Sequence, residues 1–180
     1  MLMNLTDIFH SENRTITTEA VFETDTVKQG AEEYKVKKAS PVVLTLKNIG
    51  KDAVLVHANA DVVLSLTCDR CLKEVEYPFE LDFEVRVYSP EYQKDAATEK
   101  EDEETDETDF LDGYYLKVDD LIYSEILLNW PMKILCREDC KGICRICGKD
   151  LNTGTCGCDT FVPSPGLAGI KEIFNANKEV

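Results

Sequence analysis

The sequence predicts an α+β protein, with an N-terminal antiparallel β-rich domain and a C-terminal cysteine-rich segment stapled by zinc. Three observations carry this. Apolar and polar residues alternate with period two between residues 54 and 87. Nine of the fifteen residues between 95 and 109 are acidic. Eight cysteines fall in closely spaced groups within a chain of 180 residues. The expected division is a β-rich domain over 1–94, an acidic disordered insertion over 95–109, and a segment 110–180. That last segment holds a connecting helix, the Cys-rich region and a short terminal helix.

The alternation is read first. Val54, Val56, Ala58, Ala60, Val62, Leu64 and Leu66 are apolar, with His57, Asn59, Asp61, Ser65 and Thr67 between them and Leu55 and Val63 as interruptions. From Val75, the apolar residues Val75, Tyr77, Phe79, Leu81, Phe83, Val85 and Val87 alternate with Glu74, Glu76, Glu80, Asp82, Glu84 and Arg86. Side chains of a strand point to opposite faces in turn, so both runs predict strands with one wet face. Pro78 falls on the polar side and lacks an N–H, which predicts an edge position or a bulge. The two strands flank Cys68-Asp69-Arg70-Cys71, which places that cysteine pair in the turn of a hairpin. Earlier strands are expected at Ala20–Thr24 and Val42–Lys47.

After the acidic run the period changes. Asp119 or Asp120 is a candidate N-cap for a helix carrying Leu121, Ile122, Ile126, Leu127 and Leu128, stopping at Trp130 before Pro131. Trp130 is expected as a core anchor at the helix end. A second amphipathic stretch, Leu167, Ile170, Ile173 and Phe174, follows the breaker Pro163-Ser164-Pro165-Gly166.

The net charge of −15 excludes a generally basic coat protein for nucleic acid, but not a local basic patch. Residues 95–109 carry nine acids and only Lys100, whereas residues 131–180 are slightly positive. The acidic run has no aromatic or large aliphatic residue to offset the entropy of ordering, so it reads as a solvated spacer or an acidic docking segment. The N-terminus lacks the cationic and apolar regions of a secretory signal, and no apolar run approaches the roughly 20 residues of a membrane span. A cytoplasmic protein with reduced thiols is the expectation. With 43% apolar residues a core needs no disulfides, so eight cysteines call for another role.

Their spacing supplies one. The order is Cys68-x2-Cys71, then 64 residues, then Cys136-x3-Cys140-x3-Cys144-x2-Cys147-x8-Cys156-x-Cys158. A Cys-x2-Cys turn offers two of the four soft donors that tetrahedral zinc requires. Gly148 suits the positive φ that such a turn often demands, and Asn152-Thr153-Gly154 can turn the chain so that Cys156 and Cys158 return. The economical partition is one site from Cys144, Cys147, Cys156 and Cys158, and another from Cys68, Cys71, Cys136 and Cys140. One or two structural zinc ions follow. A site of thiolates alone leaves no open position for water, which favours a structural over a catalytic ion. An iron–sulfur cluster uses the same donors. A thiol redox protein using Cys68 and Cys71 is a further alternative, although such thiols are activated at a helix N-terminus and these join two strands.

Lys133, Arg137, Lys141, Arg145 and Lys149 recur every four residues through the Cys-rich region. They fit a phosphate-contact surface and equally fit charge balance around thiolate-bound zinc. His10 and His57 are isolated, with His57 on the wet side of its strand. No nucleophile–base ordering, carboxylate pair or phosphate-cradling glycine loop stands out, so nothing supports an enzyme.

Cys68-Asp69-Arg70-Cys71-Leu72 between two strands resembles the signature of the YceD family, the large ribosomal RNA subunit accumulation proteins. Leu128-Asn129-Trp130-Pro131-Met132-Lys133, the run from Cys136 to Cys144, and Cys147-Gly148-Lys149-Asp150-Leu151-Asn152 resemble its cysteine-rich version. The stretch Ser164 to Lys171 is similar to the family's closing segment and short helix, with Ser164 and Gly166 in place of its charged pair. The resemblance implies a non-catalytic factor in making or processing large-subunit ribosomal RNA. Its expected partners are precursor ribosomal RNA, or ribosomal and processing proteins, with no membrane and no small-molecule substrate. Arg70, Lys141, Arg145 and Lys149 are the candidate RNA contacts. The competing reading is an adaptor whose acidic face docks a basic ribosomal protein or a ribonuclease.

Overall fold

A computed structural model describes residues 1–11, 13–50, 52–92 and 110–158; the acidic run 95–109 and the expected terminal helix lie outside them. Two compact units result. One comprises Met1–Leu66 and Glu74–Met132; the other comprises Thr67–Lys73 and the chain from Lys133 onward. The grouping in space therefore differs from the linear division at the acidic run. A hairpin turn is grouped with the Cys-rich segment, and the connecting helix is grouped with the sheet.

The first unit is built on strand β6 (Ala53–Thr67), whose alternate residues from Val54 to Leu66 are all essentially buried. Strands β4 (Glu32–Ala39) and β5 (Val42–Gly50) both pair antiparallel with β6, from Lys35↔Ser65 to Gly50↔Ala53, with register shifts at Val36/Lys38 and Asn48/Gly50. Strand β7 (Glu74–Tyr88) also pairs β6. Strands β2 (Thr15–Ala20) and β3 (Thr26–Gln29) extend the sheet from β5 and β4, giving the order β2-β5-β6-β4-β3. Among the described pairings β7 meets only β6, and Pro78 lies exposed within it, as an edge proline must.

The expected strand at Ala20–Thr24 is corrected to Thr15–Ala20. Its pairing runs from Thr15↔Lys47 to Ala20↔Val42, so tertiary pairing with β5, rather than local hydrophobicity around Val21 and Phe22, sets its bounds.

A small second sheet joins β1 (Leu2–Asn4), β8 (Leu111–Asp112) and β9 (Tyr115–Lys117) in the order β1-β9-β8. Helices α1 (Thr6–Phe9) and α2 (Val118–Leu128) belong to this unit as well. Helix α1 is tied to β5 by the buried Asn48, whose amide donates to the carbonyls of Ile8 at 2.7 Å and Phe9 at 3.1 Å. Helix α2 lies against β7 and buries Val118, Leu121, Ile122 and Ile126.

Two details of α2 depart from expectation. Lys117 occupies the N-cap position, with no side-chain cap, and Asp119 and Asp120 sit in the first turn. There Asp119 accepts the Glu23 N–H at 2.8 Å instead of capping its own helix. Leu127 and Leu128 are exposed, because the apolar stripe ends with Ile126. Trp130 is half-buried beyond the helix end, with ring centroids 5.0 Å from Tyr34 and 5.8 Å from Phe79. Leu64 is fully buried on β6, so Leu64→Ala is expected to cost about 3 kcal/mol in a urea melt of this unit.

Candidate metal centres

The second unit contains the turn that connects β6 to β7 in sequence. Cys68-Asp69-Arg70-Cys71 closes on itself through Cys68 N–H to Lys73 O at 2.8 Å and Leu72 N–H to Cys68 O at 2.9 Å. Cys144-Arg145-Ile146-Cys147 repeats the arrangement bond for bond. There Cys144 N–H donates to Lys149 O at 2.9 Å and Gly148 N–H donates to Cys144 O at 2.8 Å. The residue after each second cysteine has positive φ, +71° at Gly148 and +59° at Leu72. Gly148 takes this backbone without strain; Leu72 bears a side-chain penalty of about 1 kcal/mol there. The recurrence of cysteine pairs in the sequence thus reflects a recurrent backbone knuckle.

Each knuckle brings its two sulfurs to two others. Cys68, Cys71, Cys136 and Cys140 form one tetrad, and Cys144, Cys147, Cys156 and Cys158 form the other, with the sulfurs of each within 4.8 Å of one another. In the first, Cys68 Sγ lies 3.9 Å from Cys140 Sγ, and Cys71 Sγ lies 3.5 Å from Cys136 Sγ. Four sulfurs held about 2.3 Å from a central ion in a tetrahedron stand about 3.8 Å apart, so these spacings fit a single ion. Both tetrads can hold a metal ion, and they are the two groups of the economical partition. The first is the more deeply set, with three of its four cysteines buried; in the second only Cys144 is buried.

Thiol electrostatics point the same way. Burial pushes Cys68 up, but backbone hydrogen bonds from Cys71, Arg70 and Cys136 outweigh it and bring the thiol down to about 6. Backbone hydrogen bonds from Cys147 and Ile146 bring Cys144 down to about 6. Cys136 is driven up to about 12, first by sharing a proton with Cys71, and Cys158 up to about 12, first by sharing one with Cys147. Each tetrad therefore keeps an easily formed thiolate beside a thiol that resists ionisation, which is how crowded acids behave without a cation. A divalent ion held by either tetrad would supply positive charge that favours the thiolate form of all four sulfurs.

The surrounding polar residues hold the tetrads in place. Asp69 anchors the returning chain by accepting Ile134 N–H at 2.7 Å. Arg70 Nη1 donates to Cys140 O at 2.6 Å, while Arg70 O accepts Ile143 N–H at 3.0 Å. Lys73 pairs with Asp150 at 2.6 Å, and hydrogen bonding to that ammonium, before other contributions, lowers the Asp150 carboxyl to about 2. Asn152 Nδ2 faces Cys140 Sγ at 3.5 Å. The sequence singles out neither Lys73 nor Asp150 for such a role. It marks Asn152 only as part of a turn, since side-chain bonds to sulfur leave no spacing pattern.

The candidate RNA contacts divide in two. Lys141 and Arg145 are exposed, and among the described residues their side chains make no hydrogen bond or ion pair. Arg70 and Lys149 are exposed but engaged within the unit, Arg70 as above and Lys149 Nζ with Thr155 O at 2.9 Å. Neither histidine joins a tetrad: His57 Nε2 meets Asp82 at 2.7 Å, and His10 Nδ1 meets Thr6 O at 2.7 Å.

The family model for the large ribosomal RNA subunit accumulation protein YceD matches residues 56–174, about two thirds of the chain. The match runs from within β6 through both tetrads. The chain belongs to the YceD family. No curated protein and no solved structure matches it. YceD membership associates the chain with accumulation of large-subunit ribosomal RNA, and both knuckles with their tetrads fall inside the YceD match.

Proposed function

We propose that this chain is a non-catalytic ribosome-biogenesis factor that supports synthesis, processing or accumulation of large-subunit ribosomal RNA by binding precursor RNA. The YceD match is the observation that carries the reading. Zinc is the proposed metal, one structural ion in each tetrad, because four thiolates at tetrahedral spacing leave no position for substrate or water. The stapled unit then presents Lys141 and Arg145 to solvent beside Lys149 and Arg70. Cations on a rigid platform favour phosphate contact because little side-chain order is lost beyond their own.

Reversing three charges together, Lys141→Glu, Arg145→Glu and Lys149→Glu, tests it. The dependence of log affinity on log salt for precursor ribosomal RNA is expected to flatten by roughly 0.7–0.9 for each phosphate that the protein no longer neutralises. An unchanged slope would move the function to a protein partner. That second reading has its own support: Glu74, Glu76, Glu80, Asp82 and Glu84 all lie exposed along β7, an acidic stripe suited to a basic ribosomal protein or a ribonuclease. Thiol redox chemistry is the least favoured alternative. Cys68 and Cys71 each face a sulfur from the later segment, in a turn between strands rather than at a helix start.

A further inference from the structure

We propose that Asn152 is a positioning residue through which the two tetrads load metal cooperatively. The inference rests on reading both tetrads as metal sites. Asn152 belongs to the loop that the second tetrad closes, between Cys147 and Cys156, yet its side chain serves the first.

Its amide orientation is fixed from both ends. Asn152 Oδ1 accepts Arg137 Nη2 at 2.9 Å and the Lys141 N–H at 2.8 Å. Asn152 Nδ2 donates to Asp150 Oδ1 at 2.8 Å and points at Cys140 Sγ at 3.5 Å. A flipped amide would set its N–H groups against two donors and its oxygen against a carboxylate and a thiolate. The donor must therefore face the sulfur.

Four thiolates around a divalent cation carry a net charge of −2. An N–H directed at one sulfur relieves that charge and orients the ligand, and such outer contacts change metal affinity by about 10- to 100-fold. The loop that supplies the N–H is tied to the first tetrad's segment, and its own ends meet through Lys149 Nζ and Thr155 O at 2.9 Å and at the second tetrad. Asp150 meets Ile143 in an isolated bridge, Leu151 N–H reaches Gly142 O at 2.9 Å, and Lys73 pairs with Asp150. Metal in the second tetrad fixes both ends of the loop through Cys147 and Cys156. It thereby steadies the loop whose Asn152 donor faces the first tetrad, before that tetrad fills. By linkage, metal in the first tetrad favours the second by the same factor.

Native mass spectrometry of the full chain at half-saturating zinc reads this directly. With a coupling of about tenfold between otherwise equal sites, the species holding one ion is expected to make up only about a quarter of the chains. Asn152→Ala should raise that fraction to half or more while still binding two ions at saturation. Asn152→Asp keeps the acceptor for Arg137 and Lys141 but sets a carboxylate against Asp150 and the Cys140 sulfur, so it should enrich the one-ion species at least as much as Asn152→Ala does. A merely structural role would weaken both sites without enriching the one-ion species. An unchanged one-ion fraction in both variants, with two ions bound at saturation, overturns the coupling alone. Fewer than two ions per wild-type chain overturns the two-site reading, and the coupling with it.

Discussion

Stripping the metal is expected to unfold the unit of residues 67–73 and 133–158 while the β6-centred unit stays folded. In hydrogen exchange followed by mass spectrometry, amides in those two segments should lose their protection and those of β5, β6 and α2 should keep it. The reason lies in what each unit buries. Around β6, the fully buried side chains include Leu44, Val54, Val56, Leu64, Leu121, Ile122 and Ile126. In the cysteine-rich unit, the buried hydrophobic side chains among the described residues are Ile134 and four of the cysteines themselves. Without an ion those cysteines are no substitute for a core. Structural zinc contributes about 10–16 kcal/mol in small zinc modules, more than the whole stability of many domains.

Acid should act as a chelator does. Proton sharing with neighbouring thiols holds Cys136 up at about 12, and Cys71 is also raised, so loading the first tetrad at neutral pH is expected to release protons. The metal competes with protons for the sulfurs, so affinity falls as pH falls. Titration calorimetry in buffers of different ionisation heat would count the protons released, and none released would contradict thiolate ligation.

A second large effect is expected at Gly142. Its φ is +77°, and a Cβ placed there would stand 2.7 Å from the Arg70 carbonyl oxygen, a backbone atom. That oxygen accepts the Ile143 N–H and cannot withdraw without releasing it. Gly142→Ala combines left-handed strain with this collision and should cost about 3 kcal/mol, with weakened metal retention at the first tetrad. Gly148 is the internal control. Its φ is +71° but a Cβ there meets nothing within 4 Å, so Gly148→Ala should cost only about 1 kcal/mol. Chelator-competition midpoints for the two variants separate the outcomes; equal losses would refute the close-approach argument.

Much of this architecture is legible from residue order because its strongest elements are periodic. The alternation from Val54 to Leu66 is the buried face of β6, and that from Val75 to Val87 follows β7. The cysteine spacing likewise foreshadows the two groups of sulfurs. The hairpin of β3 and β4 is hidden because Glu32-Glu33-Tyr34-Lys35-Val36-Lys37-Lys38 is dominated by charge, although Gly30, at φ +61°, marks its turn. The β8–β9 hairpin is too short to show a period; Asp112-Gly113, with Gly113 at φ +60°, is its one signal. Asp119 misleads as a cap because a capping residue and a residue of the first turn share the same chemistry. The contacts of Asn152 and Lys73 with distant chain leave no trace in the sequence, since they depend on which segments meet.

The first tetrad is also an order of events. Cys71 is separated from Cys136 by 64 residues, so the knuckle leaves the translating ribosome well before its partners exist. At about 5–20 residues per second that interval is about 3–13 seconds. During it the nascent chain displays two thiols of an incomplete site while β7 and α2 are still being made. Closing so long a loop makes this tetrad late to form, whereas Cys144, Cys147, Cys156 and Cys158 emerge almost together. Maturation of the cysteine-rich unit is thus timed by synthesis of β7, β8, β9 and α2, which interrupt it in sequence.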